Sequence, residues 1–327
     1  MSTHIRADKD VVVVRPEKTA APTSYVTPPS PARRKSRRVS LLGYWLLLPT
    51  LAVVGSLILY PVFTTLVQSF FHESPLSSST GFAGLNNYKS ILADPNFGQS
   101  IQNTVGYVVI GTVLLTCGGL LVALVVRKGF RARPLVLAIL VLPWALPGLV
   151  EGIIWAWIYD PTFGIVNSAL VNLHIISHPI VLIGDNRMLS ILLIELVQVW
   201  QLIPLTALMI LASMQGIPEE LYQAASIDGA GEFRKFFSVT LPLIRPGLTI
   251  AIVQSIVASV TIFDISYALT GGTGASETNP VMAEIYNVAF VNQNFGQAYA
   301  GVFIVSAAVM IISALIIKFL YRATEFA

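Results

Sequence analysis

The stretch EELYQAASIDGAGEFRKFFSVTLPLIRP, Glu219–Pro246, gathers charge, small residues and aromatic rings between two long apolar runs. Pro218 suits the first turn of a helix, where its missing N–H costs nothing. Leu221, Tyr222 and Ala225 then share one face, with Glu219, Glu220 and Gln223 largely elsewhere, which predicts a short amphipathic helix. Asp228-Gly229-Ala230-Gly231 interrupts it, because glycine accepts backbone angles that other residues resist and permits close backbone approach. A second short helix is expected to carry Phe233, Phe236 and Phe237 with Arg234 and Lys235 exposed. Pro242 and Pro246 then turn the chain into the next apolar run.

Around this stretch the chain has a membrane composition. Of its 327 residues 54% are hydrophobic and 11% charged, with a mean hydropathy of +0.73, whereas soluble domains carry charge on about a quarter of their residues. Crossing a bilayer takes about 20 apolar residues as helix. Six segments meet that length: Leu41–Phe71, Ile101–Val126, Pro134–Tyr159, Met188–Met214, Leu248–Leu269 and Gln297–Tyr321. The first is too long for a signal peptide and lacks a small-residue cleavage site, so it is expected to stay as an anchored helix. The expected fold class is an all-α integral membrane protein with six transmembrane helices. Residues 1–38 form a basic, Pro- and Ser-rich tail expected to be disordered. Residues 39–327 form the membrane domain, with the polar loop at 216–246 inside it.

Lys and Arg stay on the cytoplasmic side of such helices. Of the 20 Lys and Arg residues, nine precede residue 39, four lie in RKGFRAR, and Arg234, Lys235, Arg245, Lys318 and Arg322 complete one side. Only Lys89 and Arg187 fall on the other. Both termini and Glu219–Pro246 are therefore expected in the cytoplasm of a cell-membrane protein. The same distribution explains the net charge of +3 and the pI near 9.0 as a topology signal beside anionic lipid, so no nucleic-acid partner is inferred. The outer loops, with aromatics and Asp-Pro turns, are expected to pack over the surface of the bundle. The single Cys117 sits in the apolar run LLTCGGLL and is expected to serve as a small packing hydrophobe.

The polar stretch resembles the EAA loop of ABC-importer permeases, whose pattern runs E-A-A, D-G-A, an aromatic segment, then L-P. The matching residues are Gln223-Ala224-Ala225, Asp228-Gly229-Ala230 and Leu241-Pro242, with Gln223 where the family usually has Glu. Elsewhere LLPTLAVVGSLILYPVFTTLVQSF, GLNNY, LPWALP, DPTFGIVN and FDISYALTGGTG are similar to the first permease subunit of carbohydrate-uptake systems. The large outer insertion of maltose-type first permeases is absent. The resemblance implies a type I permease core and a coupling helix that docks into a cleft on a separate ATPase. It also implies a sister permease, two ATP-binding subunits carrying ATP and Mg²⁺, an external solute-binding protein, and a sugar substrate. Glu219, Glu220, Gln223, Ala224, Ala225, Asp228, Gly229, Ala230, Phe233, Arg234 and Phe236 become the candidate coupling residues, with no cofactor expected on this chain.

Polar side chains at membrane depth face the bundle interior, a partner or a water-filled path. Glu195, Gln198 and Gln201 follow one side of the fourth segment beside Trp200; the fifth offers Gln254, Ser255, Ser259 and Asp264. Amides and hydroxyls beside aromatic rings suit sugar recognition, and the same groups also serve as hydrogen bonds between helices. Both roles stay open, as does an anchoring role for Glu151, Trp155 and Trp157 near an interface.

Other chemistry is not encoded. No G-x-x-x-x-G-K-[ST] loop occurs, and the GGTG at residues 271–274 lacks the following Lys. His174 and His178 stand four apart without a third metal ligand, and no catalytic grouping is assignable, so an enzyme is not expected. The alternatives are an importer of glycerol phosphate or another polyol, and an ion-coupled secondary transporter. The latter would normally show inverted repeats or broken helices with ion-binding polar groups, and neither is expected from this sequence.

Overall fold

A computed structural model describes residues 41–73, 81–271 and 277–322. The basic tail and most of the GGTG turn lie outside them. The chain divides into two units, Met1–Val54 and Gly55–Ala327. The described part of the first is a single apolar helix, α1 (Leu41–Val54), with Pro49 inside it.

The second unit begins with a π turn (Gly55–Leu59) and α2 (Tyr60–Gln68). An isolated bridge between Phe71 and Phe82 precedes α3 (Asn86–Ala93) and the 33-residue α4 (Pro95–Arg127). There follow α5 (Arg133–Val141), a 3-10 turn (Pro143–Ala145), α6 (Gly148–Tyr159), α7 (Ile165–Asn172) and α8 (Arg187–Gln215). The polar stretch forms α9 (Glu219–Ile227), α10 (Glu232–Lys235), a π turn (Phe236–Thr240) and α11 (Leu241–Leu243). The chain closes with α12 (Arg245–Val260), α13 (Asp264–Leu269), α14 (Val281–Tyr286), a π turn (Asn287–Val291) and α15 (Phe295–Arg322). No strand beyond the one bridge occurs among the described residues.

Among the described residues, four helical runs are long and apolar enough to cross a membrane: Trp45–Gln68, Pro95–Arg127, Arg187–Gln215 and Phe295–Leu320. Two bent pairs bring the count to six, Arg133–Ala145 with Gly148–Tyr159 at 95° and Glu232–Leu243 with Arg245–Val260 at 72°. The first bend breaks the third expected span; the second, at Ile244, lies just before the fifth, which is interrupted separately after Val260. In the third, Pro147 offers no N–H and holds Leu146 extended at ψ 136°. In the fifth, the helix stops at Val260, and Phe263, at φ −140° and ψ −63°, leaves helical geometry before α13 begins; Thr261 Oγ1 bonds back to Val257 O at 2.8 Å and Ala258 O at 3.3 Å.

The spine of the unit is the pair α4 and α8. On α4 the buried residues Tyr107, Gly111, Leu115, Gly119 and Ala123 recur every four positions, one stripe of a helix. Small residues on that stripe let the helices close up, as membrane helices do when no hydrophobic driving force separates them from lipid. A Cβ at Gly119 would stand 2.7 Å from Thr206 Cγ2 and 3.2 Å from the Ala207 backbone nitrogen. On α12, Gly247 sits against Ser213 of α8 in the same way. Cys117 lies on the exposed side of α4 instead of packing inside.

The segment at 270–296, expected as an outer loop, is largely a packed element. Val281, Ile285 and Val288 are buried in a cluster with Phe97 of α4 and Ala298 and Ala300 of α15. Asn103 of α4 pins it by donating Nδ2 to the carbonyls of Glu277 at 2.8 Å and Asn279 at 2.9 Å. Glu151, one of the expected interfacial anchors, is fully buried on α6. Trp155 also turns inward, its ring 5.7 Å from that of Trp200, while Trp157 is exposed.

Candidate functional site

The polar stretch folds as its residue order predicts, and the D-G-A triplet acquires a physical meaning. Gly229 adopts φ 74°, with its N–H bonded to Ser226 O at 3.1 Å and that of Ala230 to Ala225 O at 2.9 Å. These are the paired bonds of a Schellman motif, which satisfies the last carbonyls of a helix and needs a left-handed residue, usually glycine. Asp228 is the C-cap of α9, Gly229 supplies the left-handed turn, and Ala225 and Ala230 lie at the ends of the bond that spans six residues. Pro218 is extended and caps the N-terminus of α9 from outside it; Glu219 and Glu220 fill the first turn, where negative charge favours the helix dipole.

Most of α9 faces outward. Glu219, Glu220, Gln223 and Ala224 are exposed, Ala225 is half-buried, and Tyr222 is the buried residue of the helix. Leu221, expected on the covered face with Tyr222, is exposed. Ile227, the last residue of α9, is 87% exposed and Phe233, beyond the cap, 79%, and the Phe237 ring lies 4.9 Å from those of both Phe233 and Phe236. Arg234 is exposed. Lys235, expected to be exposed too, is partly covered and pairs with Glu232 at 3.1 Å. That bond holds the Glu232 carboxyl below its ordinary value. Ile227, Phe233 and Phe237 thus present apolar surface among charges of both signs, and Phe233 and Phe236 share a cavity of about 880 Å³ with Arg127 and Lys128 at the end of α4.

Tyr222 points the other way. Its hydroxyl lies 3.0 Å from that of Thr240, a buried contact, and the Arg127 guanidinium at the end of α4 sits 4.3 Å from its ring centroid.

The polar residues of the fourth span serve the breaks in neighbouring helices. Ser259 donates to Glu195 Oε1 at 2.8 Å, and both side chains close over Gly111, where a Cβ would collide with them. Gln198 donates to Ala258 O at 3.2 Å, one of the last four carbonyls of α12, which lack an intrahelical partner. Gln201 donates to Leu146 O at 3.0 Å, at the bend of the third span. Glu195, Gln198 and Ser259 are buried. Ser255 is also buried and bonds back to Ala251 O at 2.8 Å, Gln254 is half-buried, and Asp264 is exposed at the start of α13. The structure does not gather these seven residues around one cavity.

What does surround a cavity is a chain of aromatic rings. Phe263, Tyr267, Tyr286, Phe290, Phe295 and Tyr299 stack in succession with centroids 4.9 to 6.2 Å apart. Five of them, all but Tyr267, line a cavity of about 450 Å³ beside the break after α12, together with Thr261. The sequence scatters these rings over 37 positions, Phe263 to Tyr299, and only the packing of α13, α14 and α15 brings them into line. His174, at φ 58° beyond the end of α7, does not share a helical face with His178.

Residues 115–326 match the family of binding-protein-dependent transport system inner membrane components. The chain belongs to this family: it is a permease of the ABC-importer type. The trehalose/maltose transport system permease protein MalF of Thermococcus litoralis is 33% identical over 250 residues, 76% of this chain and 84% of that protein. The sulfoquinovosyl glycerol transport system permease protein SmoG of Agrobacterium fabrum is 34% identical, covering 80% of this chain and 84% of its own length. The sn-glycerol-3-phosphate transport system permease protein UgpA of Brucella abortus is 29% identical, over 88% and 97%. Among solved structures, a bacterial ABC transporter involved in import of the acidic polysaccharide alginate aligns with a TM-score of 0.69 at 17% identity, covering 86% of this chain and 95% of that one. The all-helical architecture is that of the type I permeases.

Proposed function

We propose that this permease carries a neutral sugar or polyol across the cell membrane, delivered by an external solute-binding protein, in a complex with a sister permease and two ATPase subunits. ATP and Mg²⁺ would be bound on the ATPases. The observation that carries the coupling role is the exposed ridge of Ile227, Phe233 and Phe237 on a loop fixed by a Schellman cap. An apolar ridge at an interface is where binding energy concentrates, and a nucleotide-dependent ATPase cleft is the partner the family resemblance implies. Both termini and this loop would be cytoplasmic.

For the substrate, the aromatic chain around the α12–α13 break supports the reading better than Glu195, Gln198, Gln201 or Ser259, which are committed to helix contacts. Its cavity falls in the usual 300–1,000 Å³ range for small-molecule sites. Aromatic faces stack on the C–H faces of sugars, and Asp264 opens α13 beside Phe263 as an exposed acceptor. Trehalose and maltose, named in MalF, belong to the same neutral class, whereas the sulfoquinovosyl glycerol named in SmoG is a sugar glycoside carrying a sulfonate. Glycerol phosphate, named in UgpA, is the second reading, but no Lys or Arg occurs between residues 188–214 or 248–269 to meet a phosphate.

In cells expressing the full complex, Phe233→Asp and Ile227→Asp are expected to abolish uptake and to lose the ATPase on purification. Tyr286→Ala should raise the KM for sugar uptake while the complex stays assembled. Retention of the ATPase by both Asp variants would sink the docking role; an unchanged KM would sink the aromatic site.

A further inference from the structure

Tyr222 is the buried residue of an otherwise outward-facing helix, and it has two anchors on different elements. One is Arg127 at the end of α4, whose guanidinium carbon stands 4.3 Å from the ring centroid. The other is Thr240, 2% exposed, whose hydroxyl meets that of Tyr222 at 3.0 Å. A cation over a ring face is attracted by the ring's quadrupole, more strongly when partly desolvated, and a buried hydroxyl pair is costly to leave unmade. The two contacts use separate parts of one side chain: the face of the ring and its oxygen. Thr240 closes the π turn that leads through α11 into α12, and α4 is half of the α4–α8 spine. Displacement of α9 would therefore be felt at both the α4 end and the entry to α12.

Resting on the coupling role proposed above, we infer that Tyr222 is the positioning residue that holds the coupling helix to the transmembrane bundle. Through Arg127 and Thr240 it delivers movement of the docked ATPase to α4 and α12 together. The ATPase is gripped by the exposed ridge, and the bundle is gripped by Tyr222 on the reverse side of the same helix. Coupling then depends on a residue that does not touch the ATPase.

The test uses the complete complex in proteoliposomes with its binding protein, measuring sugar moved per ATP hydrolysed and stimulation of ATPase by the loaded binding protein. Tyr222→Ala is expected to leave the ATPase bound and hydrolysing, while sugar moved per ATP falls about tenfold or more and stimulation is lost. Tyr222→Phe and Thr240→Val, which remove only the hydroxyl pair, should each give a partial fall. Arg127→Ala should do the same, with Arg127→Lys restoring part of the loss because the cation returns. Wild-type stoichiometry in Tyr222→Ala, or in both Tyr222→Phe and Arg127→Ala should Tyr222→Ala not assemble, overturns the inference. The Phe233→Asp and Ile227→Asp complexes separate the two ideas. If they shed the ATPase while the Tyr222 series keeps normal stoichiometry, the docking surface stands and the transmission role alone fails.

Discussion

At position 229 the conformation and the surface make separate demands. Glycine is required by φ 74°, a region that costs an ordinary L-residue roughly 1–2 kcal/mol, yet a Cβ there would meet no atom within 4 Å. A β-branched side chain therefore loosens the helix cap without a clash, whereas Asp, which tolerates the left-handed region better, mainly adds charge beside Ile227. Gly229→Val is expected to lower uptake in part and to weaken protection of the α9 amides in hydrogen exchange. Gly229→Asp should keep that protection and still abolish uptake, with less ATPase recovered. Equal loss of protection in both variants would show that the cap alone decides. Gln223 is exposed on α9, so Gln223→Glu adds the charge usual in the family at a position open to a partner. Gly111 shows the opposite kind of glycine: helical in conformation, and fixed by the Glu195 and Ser259 side chains above it.

The breaks are the informative features among the helices. A carbonyl released by a bend cannot find water in hydrocarbon, so a side chain from a neighbouring helix must serve it. Gln201 does this for Leu146, and Gln198 for Ala258. Gln201→Leu is expected to cost about 1–3 kcal/mol, the penalty for a buried polar group left unpaired, seen as a lower thermal midpoint of the purified complex. Pro147→Ala in the same background should recover part of that loss by letting the third span straighten. If Gln201→Leu is as stable as wild type but raises the KM for sugar, the residue belongs to the path and not to the bend. The six apolar segments were legible from length and hydropathy alone, because crossing a bilayer needs them. The bends were less so: Pro147 signals one, but no proline or glycine near Val260 announces the stop that follows it.

For the whole molecule, the prediction is topological. In a Cys117→Ser background, a cysteine placed at Ser226 should react with an impermeant thiol reagent only when the cytoplasmic side is exposed. One placed at Asn172, exposed at the last position of α7, should react from the outside of intact cells. Labelling of both from the same side would overturn the orientation drawn from Lys and Arg. The purified chain by itself is expected to hydrolyse no ATP, with activity appearing on addition of the ATPase subunits.

The sequence by itself determined the membrane class, the number of apolar segments, the charge asymmetry and the helix–glycine–helix form of the polar loop. Each is written in local pattern: run length, the side on which cations fall, and a motif whose glycine is demanded by one backbone angle. The tertiary structure decided what the polar residues inside the bundle do. Glu195, Gln198, Gln201 and Ser259 looked like a path along two helices, and the structure uses them in contacts between helices and at helix breaks. Six aromatic residues, three i,i+4 pairs in the sequence, became one continuous row of ring contacts. The physical reason is the solvent: a bilayer cannot satisfy a broken backbone, so the partner of each polar side chain depends on where other helices break, and that is fixed only when they pack.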